Sequence, residues 1–149
     1  MRYFFTFFIL VFITIFTACS DQNTNNQKPA KIHWDRDMCA RCVMVVSDRK
    51  NTVQLKDPKT HKLYVFDDIG CTVLWLYQNN KPWKNSVKIW VTDFDNGKWI
   101  DARTAFWDTS NITPMAYGFA AHKDKSKIKS NEEIIDYNEV VKRVLKIGK

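Results

Sequence analysis

The sequence predicts an α+β fold in which helices cover an antiparallel sheet. Three observations carry this prediction. Short segments rich in β-branched and aromatic residues are separated by turn residues, a helical pattern follows the first pair of such segments, and a stronger helical pattern lies near the C-terminus. Since the order of elements is loosely repeated, we expect two ββαβ-like units and a C-terminal helix.

The first unit is predicted from residues 52–91. Segments 52–55 and 63–66 flank an Asp-Pro-Lys-Thr-His turn and predict a β-hairpin. Asp67 and Asp68 then provide cap chemistry for a helix over 69–77, where apolar residues recur at helical spacing. These two carboxylates are therefore interpreted as caps rather than as an acid and base pair. Alternating apolar residues over 87–91 predict the next strand.

The second unit has a weaker pattern. Asp-Asn-Gly at 95–97 predicts a hairpin turn, and 99–107 and 117–122 are predicted to be extended. A brief strand is expected over 133–136. The final helix is the clearest element, because Gly148 supplies a stop and the apolar residues fall on one stripe. Those residues are Tyr137, Val140, Val141, Val144 and Leu145.

The N-terminus predicts export and a lipid anchor. Residues 1–18 form an apolar and aromatic run with one charge, Arg2, which is typical of a signal peptide. Phe-Thr-Ala before Cys19 resembles a bacterial lipobox, so Cys19 is the expected lipidation site; a plain secretory cleavage site is the alternative. Residues 19–31 are polar and predict a flexible tether, which leaves 32–149 as one domain.

The formal net charge of +7 becomes +6 when Arg2 leaves with the signal peptide. On an anchored protein, a basic surface would attract anionic lipid headgroups. Nucleic acid is not an expected partner, because the lysines are scattered and the protein is expected to be exported. We expect the protein to reside in the periplasm, bound to a membrane through its lipid, at the outer membrane or cell surface.

With Cys19 assigned to lipid, three cysteines remain for an oxidising compartment, so at least one cannot form an intramolecular pair. Cys39 and Cys42 form a Cys-x-x-Cys motif, and Met44 follows two residues later. If the chain is extended there, Cys42 and Met44 face the same way. Thiolate and thioether are soft donors that favour Cu(I).

Three other interpretations of the motif stay open. Cys39 and Cys42 could form a structural disulfide, a redox dithiol or part of a zinc site. A redox dithiol is normally placed at a helix N-terminus, but the Val-Met-Val-Val-Ser sequence after Cys42 is poorly suited to a helix. A structural zinc site normally uses four nitrogen or thiolate ligands and no thioether.

Four blocks in order, MCARCVMVVSDRKNTVQL, LYVFDDIGCTVLWL, IWVTDFDNGKWIDARTAFW and ITPMAYGFAA, resemble the NosL family of exported copper-binding lipoproteins. The resemblance implies Cu(I) binding and delivery rather than catalysis. The implied partners are apo nitrous oxide reductase and its membrane ABC-type maturation complex. The implied ligands are Cys39 or Cys42 together with Met115. A thiol-disulfide oxidoreductase that acts through Cys39 and Cys42 is the alternative function.

Two positions depart from the family pattern, which commonly has glycine where this chain has Val43 and Ala116. If those glycines are needed for positive φ, the backbone here is expected to differ. His122 lies near the Met115 segment in the sequence and is a candidate third ligand, with a surface histidine as the alternative. Cys71 is expected to be a buried, inert thiol in the first helix.

We predict that Cys19→Ser abolishes lipidation and leaves the protein unprocessed, or soluble after membrane washing, because acyl chains are its expected hold on the membrane. Fractionation and mass spectrometry of the washed membranes check this. A processed Cys19→Ser species that still sediments with membranes would show that the lipobox assignment is wrong.

Overall fold

The computed structural model describes residues 28–148. They form a four-stranded sheet, a two-stranded sheet and two α-helices, which confirms the α+β class and the C-terminal helix. Within 28–148, no helix is both long and apolar enough to cross a membrane. The predicted signal peptide, Cys19 and most of the predicted tether lie outside the described residues.

The larger sheet is antiparallel throughout, with strand order β2-β1-β3-β4. It consists of β1 (Val53–Lys56), β2 (Leu63–Phe66), β3 (Ile89–Thr92) and β4 (Trp99–Asp101). β1 is central, and its Val53 lies opposite residues of both β2 and β3. The hairpin predicted over 52–66 is thus confirmed, and β2 is an edge strand of this sheet.

The first helix, α1 (Ile69–Gln78), begins where β2 ends. The side chain of Asp68 accepts a hydrogen bond from the Gly70 N–H and caps the helix, as predicted. Residues 69–76 are all buried, because α1 packs against both β2 and the C-terminal helix. The N-terminus of α1 is therefore fixed at one end of the sheet.

The second unit repeats the pairing of the first in reduced form. β5 (Phe106–Asp108) pairs with β6 (Ala120–His122). On the other side of β5, a single bridge joins Trp107 to Ile135. The segment predicted as continuous over 99–107 is interrupted, because the Asp101 side chain and carbonyl accept hydrogen bonds from the residues that follow and form a turn. A short 3₁₀-helix (Lys125–Lys127) lies between β6 and the bridge residue Ile135, in place of a full helix.

The C-terminal helix, α2 (Tyr137–Ile147), has the predicted ends. Asp136 caps its N-terminus by accepting from the Glu139 N–H, and Gly148 closes it in the left-handed conformation. The buried stripe is narrower than predicted, because Leu145 is partly exposed while Val140 and Val144 are fully buried. α2 therefore closes the core over α1 and β5.

The domain includes the end of the predicted tether. The Ala30 N–H donates to the side-chain oxygen of Gln54 at 2.8 Å, and the Gln54 amide donates back to the Ala30 carbonyl at 3.1 Å. Gln54 lies in β1 and is buried, so both hydrogen bonds satisfy a polar side chain that water cannot reach. The chain is fastened to the sheet at Ala30.

Candidate metal site

Residues 38–45, which we call the sulfur loop, form a narrow turn against the edge of β2. Met38 and Val45 pair as an isolated bridge, and inside it the Cys39 N–H donates to the Met44 carbonyl at 2.8 Å. The Ala40 N–H donates to the Val65 carbonyl of β2 at 2.8 Å. These bonds close the loop and fix it to the sheet, so the two cysteines of the motif are held together as predicted.

The cysteine sulfurs of the sulfur loop lie next to the N-terminal end of α1. One ligand atom from each of Cys39, Cys42, Asp67 and Cys71 lies within 4.8 Å of the other three. Cys39, Asp67 and Cys71 are 1%, 2% and 0% exposed, whereas Cys42 is partly exposed. All three cysteines are free thiols in the structure. We call these four residues the thiol cluster.

The prediction that Cys71 is buried is confirmed, but its sulfur is part of the thiol cluster. Sequence analysis missed this because Cys71 follows Cys42 by nearly thirty residues and belongs to another element. The four-residue spacing of Asp67 and Cys71 gave no helical signal, because Asp67 precedes the helix and the intervening Asp68 is extended. Asp67 is not the cap, since Asp68 fills that position.

Hydrogen bonding among the thiols separates their pKa values. The Cys71 thiol donates to Cys39 and, against the effect of burial, lowers the pKa of Cys39 to about 6. Burial raises the pKa of Cys42, and donation to Cys39 raises that of Cys71. The hydrogen bond from the Cys71 thiol thus favours the thiolate form at Cys39 over the thiolate form of the other two cysteines.

Asp67 gives the cluster an oxygen donor. One carboxylate oxygen accepts from the Cys42 thiol at 3.2 Å, while the other is buried and has no hydrogen-bond partner in the described part of the chain. A buried carboxylate oxygen without a donor is costly, and a bound cation would compensate it. Three sulfurs and one oxygen at this spacing fit a soft transition-metal ion.

Met115 lies on a loop that is docked onto the start of α1. The Thr113 hydroxyl and the Met115 N–H donate to the same oxygen of Asp68, at 2.6 and 3.2 Å. A Cβ on Gly70 would lie only 2.1 Å from the Tyr117 ring, so glycine is required for this close packing. The structure thus brings the Met115 loop against the helical turn that carries Cys71, beside Asp67.

Met44 and His122 are placed differently from their predictions. The chain is not extended between Cys42 and Met44, because Val43 has φ 63°, so the geometric reason for Met44 to face the cluster is absent. Met44 is 49% exposed. His122 ends β6, where its ring nitrogens lie 3.0 Å from Asp95 and 3.2 Å from Asp108, so carboxylates occupy both.

Both positions where glycine was expected have positive φ. Val43 has φ 63° and Ala116 has φ 55°. The expectation that the backbone would move away from this region is therefore wrong; the chain instead keeps side chains in a conformation that suits glycine. Strain of this kind is greatest at Val43, because a β-branched side chain is especially unfavourable there.

The fold and the thiol cluster define a small α+β protein with a cysteine-rich site suited to a metal ion. In structural comparison, the chain is similar to the copper chaperone NosL from Shewanella denitrificans, with a TM-score of 0.58 and 16% identity over 75% of this chain and 95% of that one. No family model matches the sequence. No curated protein matches it either. The resemblance predicted from the four sequence blocks is confirmed at the level of the fold.

We predict that Val43→Gly raises the free energy of unfolding by about 1 kcal/mol. Relief of left-handed strain contributes about 1–3 kcal/mol, and the greater unfolded-state freedom of glycine takes back about 0.5–1 kcal/mol. Val45→Gly is the matched control, since Val45 forms a bridge without positive φ. Urea denaturation measures both variants. A Val43→Gly protein destabilised as much as Val45→Gly would contradict the strain argument.

We predict that His122 stabilises the fold below neutral pH and loses this effect in alkali. Burial alone would lower its pKa, but hydrogen bonds and charge from Asp108 and Asp95 outweigh burial and raise the pKa to about 9. Because the folded pKa exceeds the unfolded value of about 6.5, the contribution is complete below about pH 6.5 and is lost as pH rises through about 9.

Urea denaturation of wild type and His122→Gln at about pH 6 and about pH 10 tests this pH dependence. The difference between the two proteins should be larger at the lower pH. His33→Gln provides the control, because the His33 side chain is 61% exposed and should matter little at either pH. An equal His122→Gln effect at both pH values would refute the prediction.

Proposed function

We propose that this protein is an exported copper chaperone that binds Cu(I) at the thiol cluster and passes it to a copper enzyme. It acts by binding and release, not by catalysis. The observation that carries the proposal is the convergence of Cys39, Cys42 and Cys71 with Asp67 at one place, with only Cys42 partly exposed. The fold shared with a copper chaperone supports it.

The chemistry of the donors favours Cu(I) as the cargo. Thiolates are soft ligands, and a Cu(I) ion bound by a few of them can move to another protein by exchange of one ligand at a time. Exchange needs a ligand that a partner can reach, which Cys42 provides at the surface. A closed four-ligand site would retain its metal, as structural zinc sites do.

We propose Cys39 and Met115 as the main ligands, with Cys42 as the ligand that a partner replaces. The docking of the Met115 loop beside Asp67 supports a thioether ligand from that loop. Met44 on the sulfur loop remains a candidate from the sequence. His122 receives less support, because Asp95 and Asp108 occupy both of its ring nitrogens.

The cellular setting follows from the sequence. We propose that acylated Cys19 holds the protein at a periplasmic membrane surface. From there it supplies copper for the maturation of nitrous oxide reductase, working with that enzyme's membrane ABC-type complex. The family resemblance of the four sequence blocks supports this recipient.

The oxidoreductase alternative has weaker support. A reactive dithiol must present its nucleophilic thiolate to a partner's disulfide. Cys39, which carries the lowered pKa, is 1% exposed and precedes a turn rather than a helix. The thiolate that would attack is therefore the sulfur that a protein partner cannot reach.

We predict that the reduced protein binds about one Cu(I) and prefers it to Zn(II). We also predict that Met115→Ala lowers the Cu(I) affinity by at least roughly tenfold, about 1.4 kcal/mol. A site with two or three donors is strongly weakened when one is removed. Competition with a colorimetric Cu(I) chelator under strict reduction measures the affinity, and circular dichroism checks the fold. Met38→Ala is the matched control, because it removes an exposed thioether of the sulfur loop.

Two results would contradict the proposed function, and a third would contradict the proposed thioether ligand. Tight zinc binding without a preference for Cu(I) would remove copper as the cargo. Disulfide reductase activity that needs both Cys39 and Cys42, but is indifferent to Met115, would favour the oxidoreductase instead. Wild-type affinity in Met115→Ala would remove the thioether from the ligand set.

A further inference from the structure

Cys71 is not one of the two main ligands proposed above, Cys39 and Met115. Its sulfur nevertheless lies within 4.8 Å of the Cys39 sulfur. It is 0% exposed and belongs to the first turn of α1. A buried thiol with only a packing role has no need of two further thiols and a carboxylate within 4.8 Å. The unpartnered oxygen of Asp67 independently indicates that this volume is suited to a cation.

We propose that Cys71 is an inner Cu(I) ligand, which with Cys39 forms a buried two-thiolate position behind the partly exposed Cys42. The inference rests on the proposed function and adds a place where the cargo is held. Copper then has two positions in one cluster. Cys39 and Met115 bind the ion in both positions, Cys42 completes the outer one, and Cys71 completes the inner one.

The distances permit the inner position. A metal ion between two opposed thiolates separates the sulfurs by about 4.6 Å, twice a metal–sulfur bond of about 2.3 Å. The sulfurs of Cys39 and Cys71 lie within 4.8 Å of each other before any ion is added. The ion would replace the Cys71 thiol proton that lies between the two sulfurs, and the sulfurs would then move apart to the metal-bound separation.

The three sulfurs differ in exposure and lie on different elements. Cys71 is held on α1 by the Asp68 cap and by the Tyr117 ring packed on Gly70. Cys42 lies on a loop whose neighbour Val43 is 64% exposed and strained. Cys39 lies between them and can serve both positions. The inner ligand is thus fixed, while the outer ligand lies where a partner can replace it.

The shift between positions is a balanced ligand exchange. The copper–sulfur bond to Cys42 breaks and a copper–sulfur bond to Cys71 forms, while Cys39 stays bound throughout. The proton of the Cys71 thiol is released, and the Cys42 thiolate takes up one proton. Copper remains Cu(I), so no oxidant or reductant is needed.

Cys71→Ser, Cys42→Ser and Cys39→Ser in the full-length protein, solubilised in detergent, test the assignment. Cu(I) affinity and the rate of Cu(I) release to a colorimetric chelator are measured for each variant. Thr72→Ser is the matched control, because Thr72 is equally buried and adjacent on α1. We expect Cys71→Ser to lose at least roughly tenfold in affinity and to release copper faster, whereas Cys42→Ser should keep most of its affinity and exchange copper more slowly.

X-ray absorption of the wild-type protein and of Cys42→Ser, each with one equivalent of Cu(I), gives a second measurement, which counts the sulfur ligands directly. Two thiolate sulfurs that persist in Cys42→Ser support the inner position. Wild-type affinity and release rate in Cys71→Ser, with loss in Cys39→Ser, would overturn the role of Cys71 and leave the proposed function intact. Absence of Cu(I) binding by the wild-type protein would overturn both.

Discussion

Two adjacent buried carboxylates, Asp67 and Asp68, hold the site together at the junction of β2 and α1. Asp68 caps the helix and accepts hydrogen bonds from Thr113 and Met115, while Asp67 accepts from the Cys42 thiol. One dipeptide therefore connects the sheet, the helix and both loops that bear sulfur. Burial raises the pKa of Asp68 even though the hydrogen bonds that it accepts act in the opposite direction.

The sulfur loop combines a strained backbone with an apolar surface. Met38, Val43, Met44 and Val45 are all large, apolar and substantially exposed, although most such side chains in the domain are buried. The domain gains nothing in stability from this arrangement, and Val43 adds strain to it. Unfavourable local features of this kind are typical of residues retained for binding rather than for folding.

Local sequence signals predicted the elements better than the site. Asp68 and Gly148 act at the positions where the sequence predicted a helix cap and a helix stop, because capping depends on neighbouring residues only. The Cys-x-x-Cys motif was equally local. The contribution of Cys71 depends on how α1 meets the sulfur loop, and no short-range pattern encodes that contact. The prediction of an extended chain before Met44 was wrong because Val43 has a positive φ, a conformation that valine disfavours.

The hydrogen bonds between Ala30 and Gln54 limit how far the domain can lie from a lipid on Cys19. They attach the chain to a fixed point on β1 at Ala30. If Cys19 is acylated, eleven peptide steps separate the lipid from that point, and a fully extended chain of this length spans about 36–40 Å. The domain is then confined to a thin layer above the bilayer. Under the proposed function, a copper donor or acceptor must present its own site within that layer. The length of the N-terminal segment therefore limits which partners can reach the domain, in addition to their chemistry.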